Sequence, residues 1–242
     1  MSLDPVPISA AAPAGRRSET AAHLELKRLA LQWAGARRLL LAATEVRLPR
    51  SGYRADVAAA TPRSLAPNAC TAVFECKASR ADFLRDSARE AGAAELLVRM
   101  SERLMALRAM IGAHRPDLRQ HEELFPEFDA IDLRGVRHET HERLQAEYRA
   151  AQRKLHEGTK FAKLARWRAA SLLYIVAGEG VVRLHEVPDG WGLLVRRGDD
   201  LELLLKPCLN ETTPEERVAI VERIAAVAGA RERARSAGLA RE

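Results

Sequence analysis

Val73-Phe74-Glu75-Cys76-Lys77 is followed almost at once by Ser79-Arg80-Ala81-Asp82-Phe83. In an extended strand, residues two apart point to the same face, so this pattern puts Glu75 and Lys77 side by side. Ser79 has the position of a helix N-cap, because its hydroxyl can accept a hydrogen bond from the backbone N–H three residues on. The stretch therefore predicts a strand over residues 71–77 that leads directly into a helix.

Two more strands are predicted before this one, over residues 39–46 and 52–60. A Pro-Arg-Ser-Gly sequence at residues 49–52 separates them and is typical of a turn. Glu45 lies on the first strand and Asp56 on the second. If the three strands form a meander, Asp56 comes beside Glu75 and an acidic face results.

The rest of the chain alternates between helical and strand-like patterns, which predicts an α/β fold with a mixed central sheet flanked by helices. Residues 1–18 are rich in Pro, Ala and Ser and are expected to form a flexible tail. The predicted nuclease-like α/β core covers 19–87 and 158–210, a helical insertion covers 88–157, and a C-terminal helix lies within 211–242. The remaining predicted helices cover 19–38, 90–112, 139–156, 158–168 and 213–235, and the remaining strands cover 171–177, 181–187, 191–196 and 201–205.

The composition narrows the class of protein and its partners. Hydrophobic residues make up 47% of the 242-residue chain and charged residues 30%, which is ordinary for a globular domain. The net charge of +6 favours a polyanionic partner such as nucleic acid. Three cysteines without disulfide or zinc spacing, no long apolar run and no signal-peptide pattern predict a cytoplasmic protein with no membrane partner.

Asp56, Glu75 and Lys77 together indicate hydrolytic chemistry. Two carboxylates suit Mg²⁺ or Mn²⁺, which retains several waters and takes further ligands from a phosphate. A lysine beside such an ion can orient or deprotonate the attacking water and stabilise the charge that develops on phosphorus. Glu45 is the candidate for an auxiliary acid, and Glu25 of the first helix is the alternative.

These residues resemble the motifs of the PD-(D/E)xK nuclease superfamily, and within it the MmcB-like proteins associated with bacterial DNA repair. The resemblance covers residues 39–87 and about 158–207, and leaves the insertion and both ends outside it. One departure is Ala55, which stands where the superfamily motif has proline. The segments that fit are Glu45, Gly52-Tyr53-Arg54-Ala55-Asp56, Glu75-Cys76-Lys77, Ser79-Arg80-Ala81-Asp82-Phe83-x-x-Asp86, Tyr174-Ile175-Val176-Ala177 and Val187-Pro188-Asp189-Gly190-Trp191-Gly192-Leu193-Leu194.

The resemblance implies a restriction-endonuclease-like core and a Mg²⁺- or Mn²⁺-dependent (endo)deoxyribonuclease that acts in DNA repair or processing. Asp56 and Glu75 would bind the metal, Lys77 would act on the attacking water, and Glu45 would assist. The superfamily also contains inactive members. The alternative is therefore a catalytically inactive DNA-binding or repair-scaffold protein on the same fold.

A basic run between residues 149 and 168 suggests where DNA phosphates bind, although a solvated helix face is the competing interpretation. A homodimer and a protein partner for segment 88–157 both remain open. Trp33, Trp167 and Trp191 lie in apolar patterns, which favours core packing over base stacking, and the seven histidines are expected at the surface. The candidate DNA contacts are Arg54, Arg80, Lys160, Lys163 and Arg168.

Overall fold

A single six-stranded mixed sheet with helices on both faces forms the protein, in a computed structural model that describes residues 19–86, 91–118 and 137–238. The strands lie in the order in which they occur in the sequence. The first three are antiparallel neighbours, the third to the fifth are parallel, and the last two form an antiparallel hairpin. The predicted α/β fold with a mixed sheet is confirmed. The strands are β1 (Leu41–Arg47), β2 (Arg54–Ala60), β3 (Thr71–Lys77), β4 (Leu172–Ala177), β5 (Gly192–Arg197) and β6 (Asp200–Leu205).

Among the described residues, six α-helices flank the sheet. They are α1 (Ala21–Ala36), α2 (Arg80–Asp86), α3 (Ala91–His114), α4 (Glu139–Leu155), α5 (Lys160–Arg166) and α6 (Pro214–Ser236). Helices α3 and α4 lie within the segment predicted as a helical insertion, and they pack against each other. The predicted tail, residues 1–18, lies outside the described residues.

The two faces of the sheet have separate cores. On one face, Trp33 of α1 packs edge-on against Phe74 of β3 and Tyr174 of β4. On the other face, Phe161 of α5 packs edge-on against Trp191, whose indole N–H donates to the Phe161 carbonyl at 3.2 Å. Because both faces are covered, every residue of β3 is buried, and its two charged side chains are buried with it.

The start of the central strand pair is held by reciprocal hydrogen bonds. The backbone N–H of Thr71 donates to the Ser171 hydroxyl at 3.1 Å, and the N–H of Ser171 donates to the Thr71 hydroxyl at 3.0 Å. These bonds join residues 100 positions apart in the sequence. They fix the register of β3 and β4, in which Glu75 lies beside Ile175 and Lys77 beside Ala177.

One predicted strand, over residues 181–187, is wrong. The chain there makes a turn of 3-10 helix at Leu184–Glu186. The Glu186 carboxylate accepts the backbone N–H of Arg183 at 3.0 Å and also pairs with Arg80. A side chain that closes the turn onto its own backbone competes with an extended conformation, which explains why the apolar residues here do not form a strand.

Across the described ranges 19–86, 91–118 and 137–238, no helix combines the length and the apolar character that crossing a membrane requires.

Candidate functional site

Glu75 and Lys77 lie at the C-terminal end of β3, on the face that α5 covers. Their exposed fractions are 1% and 4%. The Lys77 ammonium donates to Asp86 Oδ2 at 2.5 Å, and Asp86 comes from the end of α2. Ser79 caps α2 as predicted, because its hydroxyl accepts the Asp82 N–H at 3.2 Å. The cap starts α2 soon after the strand and so brings Asp86 back to Lys77.

Asp56 lies where β2 and β3 separate. Regular pairing of these strands ends at Val57 and Phe74, and beyond it the Cys76 N–H donates to Asp56 Oδ2 at 2.7 Å. The carboxylate thus replaces a backbone partner in the ladder. The predicted group of Asp56, Glu75 and Lys77 is therefore assembled at one point of the sheet.

Lys160, the first residue of α5, closes one side of the site. Its ammonium donates to Glu75 Oε2 at 2.6 Å and to the Arg54 carbonyl at 3.1 Å. The other oxygen of the Glu75 carboxylate, Oε1, is buried and has no hydrogen-bond partner among the described residues. A buried carboxylate oxygen without a partner is costly, and a ligand bound to this atom would remove that cost.

The two charged residues of β3 differ in how burial affects them. Burial raises the pKa of Glu75 to about 7, with a smaller contribution from the nearby Asp56 carboxylate and against the attraction of Lys160. Burial lowers the pKa of Lys77, but the hydrogen bond to Asp86 outweighs this, and the pKa lies above its usual value. Lys77 is therefore a protonated ammonium near neutral pH.

Glu45 reaches the site through an unusual backbone conformation. Its φ of 62° is in the left-handed region, which costs a non-glycine residue about 1–2 kcal/mol. The carboxylate pairs with Lys27 of α1 and accepts from Arg54 Nε at 2.6 Å. The predicted auxiliary acid thus lies in the same ionic network as Asp56, since Lys27 Nζ is 3.8 Å from Asp56 Oδ1.

Helix α1 contributes a charged face that was not among the sequence-based predictions. His23 Nε2 is 3.4 Å from Asp56 Oδ1, and Lys27, buried on the same face, pairs with Glu19 as well as with Glu45. His23 and Lys27 are four residues apart in α1, so the helix aligns them, and Glu19, four residues before His23, lies just ahead of the N-cap Thr20 on the same side. That spacing indicates that the three side chains share a face, whereas the contact of this face with Asp56 depends on how α1 packs on the sheet.

Glu25, the alternative auxiliary acid, is not at the site. Its carboxylate binds Arg28 at 2.6 and 2.8 Å and lies 3.8 Å from Arg196. Two positions along a helix correspond to a rotation of about 200°, so Glu25 and His23 point in opposite directions.

The network fixes the charge of its members. The hydrogen bond to Asp56 raises the pKa of His23 above its usual range. Burial raises the pKa of Asp56, but His23 and the Cys76 N–H outweigh it and hold this pKa below its usual range. Burial lowers the pKa of Lys27, which Glu19 and Glu45 more than offset. Asp56 is therefore an ionised carboxylate surrounded by cations.

The donor set fits a divalent cation that keeps most of its water. Within the described part of the chain, no three His, Cys, Asp or Glu side chains are grouped so as to hold a metal ion. Mg²⁺ is commonly bound by one or two carboxylates, with water and phosphate oxygens completing its shell. Glu75, with its unpartnered Oε1, and the ionised Asp56 supply two such ligands, so the residues present fit Mg²⁺ or Mn²⁺.

The candidate DNA contacts fall into two groups. Arg80 pairs with both oxygens of the buried Glu186 and donates to the Val181 carbonyl at 3.1 Å. Its guanidinium therefore stabilises the fold instead of facing a DNA phosphate. Lys160 is partly buried and bound to Glu75. The exposed members are Arg54, Lys163 and Arg168.

Two of the three tryptophans pack in the core as predicted, since Trp33 is 4% and Trp191 1% exposed. For Trp167 the prediction is wrong. Trp167 is the residue after the end of α5, and its side chain is 49% exposed. Tyr53 lies against one side of the ring.

Comparison with known proteins gives a likeness of fold. No protein-family model matches the chain, and no curated protein matches its sequence. Among solved structures, a protein of unknown function from Silicibacter pomeroyi has a TM-score of 0.50 and 15% sequence identity, over 93% of this chain and 97% of that one. At this identity the match shows a shared α/β architecture and nothing about activity.

Proposed function

We propose that this protein is a Mg²⁺- or Mn²⁺-dependent nuclease that hydrolyses DNA phosphodiester bonds, in keeping with its resemblance to nucleases of DNA repair. The observation that carries the proposal is the buried Glu75 carboxylate, which has one oxygen on Lys160 and the other without a partner, beside the ionised Asp56. Asp56 and Glu75 would hold the cation. Bound there, it would supply Lewis-acid activation of water and phosphate.

The lysines would act on the substrate. Asp86 keeps Lys77 protonated, so Lys77 would orient the attacking water and stabilise negative charge on phosphorus as a hydrogen-bond donor rather than remove a proton. Lys160 would turn from Glu75 towards a phosphate oxygen once a cation compensates the carboxylate. The network of His23, Lys27 and Glu45 would hold Asp56 in its ionised, correctly oriented state.

A second function, DNA binding without catalysis on the same fold, is favoured by the pairing of the acids. Each candidate carboxylate already has a cation of the chain beside it: Lys27 and Arg54 at Glu45, His23 at Asp56, and Lys160 at Glu75. In a catalytically inactive site, these cations would occupy the place of the metal permanently. DNA affinity would then be unaffected by removal of the Asp56 or Glu75 carboxylate.

Cleavage of labelled single-stranded, duplex and branched DNA separates the two functions. The proposed nuclease cuts at least one substrate with Mg²⁺ or Mn²⁺ and none in EDTA. Lys77→Met removes one donor to the developing charge and is expected to lower the rate about 100-fold or more. Asp56→Asn and Glu75→Gln are expected to abolish metal-dependent cleavage.

Lys206→Met is the matched control, because it removes an exposed lysine just after β6 and should leave cleavage unchanged. Circular dichroism confirms that each variant is folded. If no substrate is cut with either ion while DNA binding survives Asp56→Asn and Glu75→Gln, the nuclease proposal fails and DNA binding without catalysis takes its place.

A further inference from the structure

Trp167 stands out because a large aromatic ring is held at the surface. Its side chain is 49% exposed, and one side of the ring lies against Tyr53 at a centroid distance of 5.9 Å. Tyr53 directly precedes Arg54, whose carbonyl accepts from Lys160. The exposed ring is thus connected to the acidic site through Tyr53 and the first residue of β2.

The backbone holds Trp167 in this place at a cost. The N–H of Ala169 donates to the Leu164 carbonyl and that of Arg168 to the Ala165 carbonyl, both at 3.1 Å, which is the pattern of a Schellman cap. The position after such a cap usually holds glycine, since it requires a left-handed backbone. Here it is Arg168, with φ of 47°. Strained non-glycine residues of this kind cluster at functional sites.

The surroundings of the ring are basic. A surface cleft of about 190 Å³ lies between the β1–β2 turn and the end of α5, and Arg50 and Arg168 line it together with Trp167. The Arg50 side chain is 81% exposed and forms a long ion pair of 3.7 Å with Glu216, an acid that also lines the cleft. Lys163 and Arg166 are exposed on α5 just before Trp167. An exposed ring among cations is complementary to a base flanked by phosphates.

We infer that Trp167 is a stacking platform for an unpaired nucleobase, with Arg50 and Arg168 binding the phosphates on either side. The inference rests on the proposed nucleic-acid partner and specifies its form: a single-stranded segment next to the acidic site. The seven residues of α5 rise about 10 Å along the helix axis between Lys160 and Trp167, so one short single strand can reach both the acidic site and the ring.

Tryptophan fluorescence tests the inference directly, because Trp33 and Trp191 are buried and Trp167 reports on the surface. In EDTA, where no cleavage occurs, a dT15 or rU15 oligonucleotide is expected to quench the emission saturably. A blunt 15-base-pair duplex, whose bases are already stacked, is expected to quench much less at equal fractional binding. Trp167→Ala is expected to weaken dT15 binding at least about fivefold, and Trp167→Phe to weaken it less.

Leu184→Ala is the matched control, because Leu184 is 51% exposed in the 3-10 turn and outside the cleft. It should leave dT15 affinity unchanged. Equal quenching by duplex and single strand, or no quenching by either, overturns the inference. So does an emission shift that depends on protein concentration alone, which would mean that a second copy covers the ring. If the protein cleaves DNA in Mg²⁺ but shows no quenching, the proposed function stands and the stacking platform is wrong.

Discussion

Glu75 makes a prediction about stability and pH. Its pKa is about 7 in the folded protein, against an ordinary value of 4.5. Between these pH values the folded state binds more protons than the unfolded state, so stability falls as pH rises through this window. Glu75→Gln removes that dependence. Relative to the wild type, its free energy of unfolding is expected to rise by about 2 kcal/mol from pH 5 to pH 8, measured by urea denaturation in EDTA.

Glu186→Gln is the matched control for this pH dependence, because it removes the charge of another buried carboxylate. Burial raises the pKa of Glu186, but Arg80 outweighs it, and the pKa lies below its usual value. Its contribution is therefore present above pH 5 and is lost only as the pH falls further. The difference between this variant and the wild type should be nearly constant from pH 5 to pH 8. A constant difference for Glu75→Gln as well would show that Glu75 titrates normally.

Individual site residues were predictable where they follow local rules. Alternation in a strand and the cap at Ser79 predict that Glu75 and Lys77 share a face beside a helix, as the structure has them. Lys27 is a different case, because its role depends on how α1 docks. That docking comes from Trp33 packing on the aromatic residues of the sheet, which no local pattern contains.

At the scale of the element, β5 depends on a close approach at Gly192. A Cβ atom there would lie 2.8 Å from Tyr174 Cδ1, 2.8 Å from Pro207 Cδ and 2.9 Å from the Leu205 carbonyl oxygen. Gly192→Ala is therefore expected to lower the free energy of unfolding by about 1–3 kcal/mol, measured in urea.

Gly35→Ala is the counterpart within α1, where an added Cβ meets nothing within 4 Å. Alanine there reduces the entropy of the unfolded chain and should stabilise the protein by up to about 1 kcal/mol. Opposite signs for the two substitutions identify packing at Gly192 as the cause. If Gly192→Ala is neutral, β5 and β6 are free to separate at this point.

Elements with a single strong pattern were predicted well. The predicted strand at residues 71–77 has the observed bounds, because a buried β-branched and aromatic run ends at a capping serine. Residues 181–187 have a similar apolar content, and there the prediction failed. The deciding interaction is the ion pair of Arg80 with Glu186, which joins residues 106 positions apart. A pattern of a few consecutive residues cannot contain it.

For the molecule as a whole, the charge of +6 predicts salt-dependent DNA binding. Lys163 and Arg166 are exposed on α5 beside the cleft at Trp167. Lys163→Glu with Arg166→Glu should flatten the slope of log affinity against log salt by about 2, because each phosphate that the protein neutralises accounts for about 0.9 of that slope. Fluorescence anisotropy between about 50 and 200 mM salt measures the slope.

The matched control reverses two exposed charges on α6, with Arg223→Glu and Arg235→Glu. It changes the net charge by the same amount and should leave the slope close to that of the wild type. Equal slopes for both double variants would show that the overall charge, and not the surface on α5, determines binding.

The order of the strands was beyond prediction from the sequence. Parallel pairing of β3 with β4 joins two buried runs that are about 100 residues apart, with α2 to α5 between them. Local patterns predict that both runs are buried but contain nothing about which strands become neighbours. The mixed sheet followed from the alternation of elements, whereas its topology is a property of the packed molecule.

The left-handed Glu45 has a consequence for self-association. Strand β1 forms one edge of the sheet, where unpaired backbone groups invite a strand from another molecule. The reversed φ at Glu45 interrupts the even spacing of those groups, and Arg231 of α6 donates to the neighbouring Thr44 carbonyl at 3.2 Å. We therefore expect the residue that brings an acid into the site also to disfavour pairing of this edge with a strand of another molecule.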